Sequence, residues 1–104
     1  MGKPRRLVQA TAEATMTPPD ALEARQSIAR VAKAEASNLH LCTLPSGKSV
    51  VVELADRFRK TFWIKRGDFV LVEVYESDER GDRIQGEIVN IVRDLRAWRK
   101  MPYW

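Results

Sequence analysis

The chain has 104 residues, 44% of them hydrophobic and 31% charged, which fits one globular domain with a small core. Its 18 Lys and Arg against 14 Asp and Glu leave a net charge of +4, a balance that suits a polyanionic partner without requiring one. A single cysteine (Cys42) and a single histidine (His40) exclude an internal disulfide framework and a cysteine-only zinc site, no apolar run reaches the roughly 18 residues of a spanning helix, and the opening residues lack the apolar stretch of a secretory signal.

Met1 to Pro19 read as unstructured, with small and polar residues, a basic tip (Lys3, Arg5, Arg6) and the Pro18-Pro19 pair. Asp20 to Ala36 is ambiguous. Asp20 after two prolines is a good helix cap, and the Ala, Leu, Glu, Arg and Lys that follow favour a helix by propensity. Leu39 to Leu44 alternates, with Leu39, Leu41 and Thr43 on one side and His40, Cys42 and Leu44 on the other. Pro45-Ser46-Gly47 is a turn, and Ser49 to Leu54 is β-branched and apolar, so the two runs form a hairpin. Lys48 after Gly47 is not a phosphate loop, because the upstream glycine of that motif is missing.

Ala55 to Lys60 suits one or two helical turns. Gly67-Asp68 marks a turn, and Phe69 to Tyr75 is a strand with Val70, Val72 and Val74 on one face. Glu76 to Arg83 is a polar loop. Ile84 to Val92 is the last strand, with Gly86 as a bulge or a close contact. Arg93 to Lys100 places Leu95 and Trp98 at helical spacing, and Pro102 ends that helix. Short strands, a helical turn between the third and fourth, and no strand–helix alternation predict an all-β fold: the five-stranded OB barrel, with a C-terminal helix.

The charge is uneven. Between Asp56 and Arg66 five cations (Arg57, Arg59, Lys60, Lys65, Arg66) accompany one acid, and between Arg93 and Lys100 four cations (Arg93, Arg96, Arg99, Lys100) accompany Asp94. Between Glu73 and Glu87 six acids outnumber Arg80 and Arg83. Such a layout orients the field of the molecule, although charge runs are more often simply solvated faces.

Asn38-Leu39-His40, Phe58-Arg59-Lys60, Trp63-Ile64-Lys65-Arg66-Gly67-Asp68-Phe69 and the Arg93–Trp98 stretch resemble the initiation factor 1A family over about Gln26 to Trp104. Lys65-Arg66-Gly67-Asp68 and the Asn-Leu-His segment are nearest its nuclear branch, the initiation factor 1A domain-containing RNA-binding proteins. The resemblance implies an S1-like OB barrel and a partner in small-subunit ribosomal RNA near the decoding centre. It further implies late maturation of the small subunit, a pre-ribosomal particle and its assembly proteins as partners, and residence in nucleus and cytoplasm. It also settles the ambiguous segment: Gln26 to Ala34 becomes the first strand, any helix is confined to Asp20–Arg25, residues 1–25 are a largely disordered tail, and 26–104 are the domain. No membrane contact is expected, and a monomer is.

Within that frame single residues acquire roles. If Phe62-Trp63-Ile64 is extended, Phe62 and Ile64 face the core and Trp63 faces outward among Arg59, Lys60, Lys65 and Arg66. An aromatic ring among cations suits single-stranded RNA: the cations hold phosphates and the indole stacks a base. The expected RNA-binding set is His40, Arg57, Arg59, Lys60, Trp63, Lys65, Arg66, Arg93 and Arg96. Packing and solvation remain the plain alternatives for each, most of all for the lone His40. Cys42 reads as a small core residue. The acids Glu73, Glu76, Asp78, Glu79 and Asp82 lack the spacing of a calcium loop. No nucleophile, acid–base trio or metal-ligand spacing supports catalysis, so a non-enzymatic binder without a cofactor is expected. The competing expectations are the translation factor itself, acting in start-site selection, and a protein-interaction adaptor using Trp98, Tyr103 and Trp104.

Overall fold

Alternating apolar residues make the strands, and the computed structural model closes them on one another. It describes residues 12–60, 62–76 and 84–104. The strands are β1 (Gln26–Ala36), β2 (Leu39–Thr43), β3 (Ser49–Leu54), β4 (Phe69–Val74) and β5 (Gly86–Ile91). They form a closed barrel in the order β1-β2-β3-β5-β4, with β3 and β5 parallel and the other pairs antiparallel. Closure leaves no unpaired sheet edge. This is the expected OB-type barrel.

β1 closes the ring because it serves two neighbours. Gln26–Arg30 pair with β4 and Arg30–Ala36 pair with β2, with two register shifts in the second half. Its helix-prone sequence is overridden by these ladders and by the burial of Ile28, Ala29 and Val31. Gly86 is a close contact: a Cβ there would sit 2.5 Å from the Glu73 carbonyl oxygen. Only glycine lets β5 approach β4 that nearly.

Two apolar clusters flank the sheet. Inside the barrel lie Ala29, Val31, Cys42, Val50, Val52, Leu54, Phe58, Val70, Val72, Ile88 and Ile91. Burial pushes the Cys42 thiol up to about 12, so it stays protonated and acts as a small apolar residue. Outside, Ile28 and Leu71 meet Trp98, with Leu22, Phe69, Val89, Val92 and Tyr103 around them.

Trp98 belongs to a short C-terminal helix, Leu95–Arg99, capped by the Asp94 carboxylate, which accepts from the Ala97 N–H. Trp98 is fully buried (0% exposed) and pins this helix, whereas Leu95, at helical spacing from it, is exposed. The segment between strands 3 and 4 is a 3-10 turn, Asp56–Phe58, whose Phe58 plugs the barrel.

Part of the segment expected as a tail is placed against the barrel. Residues 12–16 are helical, and Thr15 is buried. The Thr15 carbonyl accepts from Trp98 Nε1 (3.0 Å) and from the Arg93 N–H (3.2 Å). The Ala14 carbonyl accepts from Asn90 Nδ2, and the Pro19 carbonyl from the Tyr103 hydroxyl. Main-chain carbonyls make these ties, so the side-chain pattern gave no sign of them. Residues 77–83, most of the expected acidic loop with Asp78, Glu79 and Asp82, lie outside the described residues, as do residues 1–11.

Candidate nucleic-acid interface

The chain between the 3-10 turn and β4 builds the site. Phe62 and Ile64 pack against the barrel core. Trp63 between them is turned out and 81% exposed. The alternation expected for an extended segment therefore holds. An indole left this open gives up the burial that normally stabilises a tryptophan.

The 65–68 turn follows. The Asp68 N–H donates to the Lys65 carbonyl (3.0 Å), and the Lys65 N–H donates to the Asp68 carboxylate (2.9 Å). Gly67 sits at φ +93°, the positive value a type II turn needs at its third position. Two further bonds, Gly67 N–H to Val31 O and Val31 N–H to Asp68 O, both 2.8 Å, fasten the turn to β1.

An open groove of about 580 Å³ lies beside Trp63, lined by Phe62, Trp63, Lys65, Asp68, Ile91, Val92 and Arg93. Arg93 joins it from the end of β5, about 30 residues away in sequence, and its guanidinium lies 5.0 Å from the Phe62 ring centroid. Among the described residues neither Lys65 nor Arg93 is ion-paired, so both charges are available to an anion. The groove offers a base-sized aromatic surface together with two cations; Asp68, tied to the turn, supplies its acid.

Of the nine expected RNA-binding residues, the structure gathers Trp63, Lys65 and Arg93 in this groove. Arg66, on the same turn, lines a neighbouring depression with Arg30 and Thr43. Arg57 is exposed, but its guanidinium donates to the Val89 carbonyl and lies 4.7 Å from the Phe58 ring centroid. Arg59 is half-buried: its Nε donates to the Leu54 carbonyl (2.9 Å) and its Nη2 is 3.4 Å from Glu53. These two arginines hold the 3-10 turn onto the barrel. Lys60 is exposed, at φ +65°. Arg96 is exposed on the C-terminal helix and lines none of these grooves.

His40 departs from expectation. It is 8% exposed and points inward with Cys42, so it offers no surface to a nucleotide. Burial lowers its pKa below the usual 6.5 and favours the neutral ring, and its Nδ1 has no hydrogen-bond partner among the described residues. Two contributors escaped the sequence reading: Phe62, as the ring under Arg93, and Asp68, as the brace of the turn. A cue existed for Asp68, since Asp one residue after a turn glycine commonly bonds its own turn. None existed for the Phe62–Arg93 pair, which depends on the barrel closing.

No cluster of His, Cys, Asp or Glu among the described residues could hold a metal ion. No helix among them is long and apolar enough to cross a membrane.

Comparison with known proteins agrees with this architecture. The model of the family described as translation initiation factor 1A / IF-1 matches residues 13–104. An S1-like domain-containing protein of Schizosaccharomyces pombe is 33% identical over 88 residues, covering 84% of this chain and 69% of that protein. Proteins named probable RNA-binding protein EIF1AD are similar too: that of Danio rerio is 38% identical over 81 residues (76% of this chain, 45% of the relative). That of Drosophila melanogaster is 36% identical over 81 residues (76% and 48%). The chain thus spans about half the length of these two relatives. With the barrel closed as described and the family match covering nearly all of it, the chain belongs to the translation initiation factor 1A / IF-1 family.

Proposed function

We propose that this chain is a non-enzymatic RNA-binding module that docks on small-subunit ribosomal RNA during late maturation of the subunit. The observation that carries the proposal is Trp63, 81% exposed beside Lys65 and Arg93 in an open groove. The indole stacks an unpaired base, and the two cations hold the flanking phosphates. Phosphate contacts supply affinity and the stacked base supplies orientation. Relatives named as probable RNA-binding proteins support an RNA partner in general, and the small subunit is what the resemblance to the initiation factor 1A family implies. A role on precursor particles follows from the nearness of Lys65-Arg66-Gly67-Asp68 to the domain-containing branch, and with it comes residence in nucleus and cytoplasm.

Of the three aromatics an adaptor would use, Trp98 is buried and the Tyr103 hydroxyl donates to the Pro19 carbonyl. That leaves Trp104 alone and disfavours a protein-docking role built on all three.

Crosslinking to RNA in cells, with read-out of bound positions and of precursor or mature termini, tests the proposal. Enrichment of small-subunit sequences carrying precursor ends is expected. Recovery with mature initiation complexes alone would favour the start-site factor, and absence of ribosomal RNA would overturn the proposal.

A further inference from the structure

A second groove lies across the 65–68 turn from the Trp63 site. The turn divides between the two: its outer residues Lys65 and Asp68 line the Trp63 groove, whereas the central Arg66 and Gly67 line the other side. The turn is therefore a ridge with a cationic side chain on each slope.

The far side has two connected parts that share Arg30 and Thr43. One is an apolar groove of about 450 Å³ walled by Phe69, Trp104, Leu44 and Pro45. The other is a depression of about 320 Å³ at Arg66, Gly67 and the β1 backbone. Arg30 stands between them for a reason of register: it pairs with Thr43 on β2 and with Phe69 on β4. Its guanidinium lies 5.9 Å from the Phe69 ring centroid and reaches over Gly67, where an added Cβ would meet it at 3.8 Å.

Trp104 packs on Phe69 with centroids 5.0 Å apart and keeps 38% of its surface exposed. Arg30 and Arg66 are exposed, and among the described residues neither is ion-paired. An apolar slot with an aromatic wall, continuous with a two-arginine depression, matches the two halves of a nucleotide. The base enters the slot and the phosphate meets the arginines. Two unpaired arginines decide the chemistry of the occupant, since an apolar peptide would leave both charges unanswered.

We infer that the Arg30–Arg66–Phe69–Trp104 groove is a second single-stranded RNA subsite, so that one strand crosses the 65–68 ridge with a base on Trp63 and a base against Trp104. The inference rests on the RNA-binding reading of the Trp63 groove and names a further nucleotide position of the same strand. Arg30 holds the phosphate on the far slope and Arg66 closes over it from the ridge.

The test is fluorine NMR of the full chain labelled with 5-fluorotryptophan, titrated with hexaadenylate. The protein has three tryptophans, so three resonances report separately, assigned through Trp63→Phe and Trp104→Phe. The expected result is a saturable shift of the Trp63 and Trp104 signals with a common midpoint, while the buried Trp98 signal stays. The double variant Arg30→Glu, Arg66→Glu should abolish the Trp104 shift and keep the Trp63 shift, and Trp104→Ala should weaken hexaadenylate binding about fivefold or more. A moving Trp63 signal with an unmoved Trp104 signal overturns the second subsite and leaves the first reading intact. If neither signal moves, the RNA reading of both grooves fails. Unchanged Trp104 shifts in the double variant, with an unchanged Trp98 signal certifying the fold, also overturn the subsite.

Discussion

Trp98 and Trp63 are the same residue type put to opposite uses. Trp98 is 0% exposed, donates its indole N–H to Thr15 and binds helix, sheet and N-terminal segment into one apolar cluster. Trp63 is 81% exposed and forms one wall of an open groove with two unpaired cations. The difference follows from position. Trp98 faces the outer surface of β1 and β4 from a capped helix, whereas Trp63 is fixed outward by its neighbours Phe62 and Ile64, which claim the core. One ring is buried in the outer apolar cluster, and the other is left open to solvent in the groove that the proposed function assigns to RNA.

The comparison breaks most visibly at Trp98. Trp98→Ala leaves a cavity in the outer cluster and removes one of the two donors to the Thr15 carbonyl, and should cost about 3–5 kcal/mol of unfolding free energy. Chemical denaturation measures this; a loss below about 1 kcal/mol would show that the helix and N-terminal segment are not integral to the fold.

The groove should answer in the opposite currency. Lys65→Ala with Arg93→Ala should leave the denaturation midpoint close to wild type, since neither side chain is buried. Their loss should make the log–log salt dependence of single-stranded RNA binding shallower by about 1.4, at about 0.7 for each phosphate contact. An unchanged slope would remove these two residues from the interface.

The smallest effect sharpens the distinction between interior and rim. Burial holds the His40 pKa below 6.5, so between the unfolded and folded pKa values the unfolded chain binds more protons. Stability from this group is fully present above the unfolded value and is lost as pH falls from about 6.5 through the folded pKa. Denaturation curves between pH 7 and pH 5 should therefore show the wild type losing stability relative to His40→Gln as pH falls. Parallel curves would mean that His40 is not buried as a neutral ring.

Much of this was legible along the chain, for identifiable reasons. Val70, Val72 and Val74 announced β4, and Phe62-Trp63-Ile64 announced which ring would be free, because a period of two needs no knowledge of the partner strand. His40 was misplaced in the RNA-binding set, although the alternation that pairs it with Cys42 held the cue that it belongs inside. β1 was not legible from propensity, since Gln26–Ala36 becomes a strand by pairing with the adjacent β2 on one side and with the sequence-distant β4 on the other. Nor was the pairing of Phe62 with Arg93, or of Phe69 with Trp104, because both depend on barrel closure. The docking of residues 12–19 left no trace, since carbonyl groups carry no residue identity.

The central claim is that an outward indole sharing its groove with two cations is the RNA contact and does nothing for the fold. Trp63→Ala, measured side by side for denaturation midpoint and for affinity to a short single-stranded RNA, tests it most directly. The account predicts an unmoved midpoint and binding weakened by about 1–3 kcal/mol, the value of one stacked base. Wild-type affinity in a folded variant, or a loss of stability comparable to that of Trp98→Ala, would contradict it.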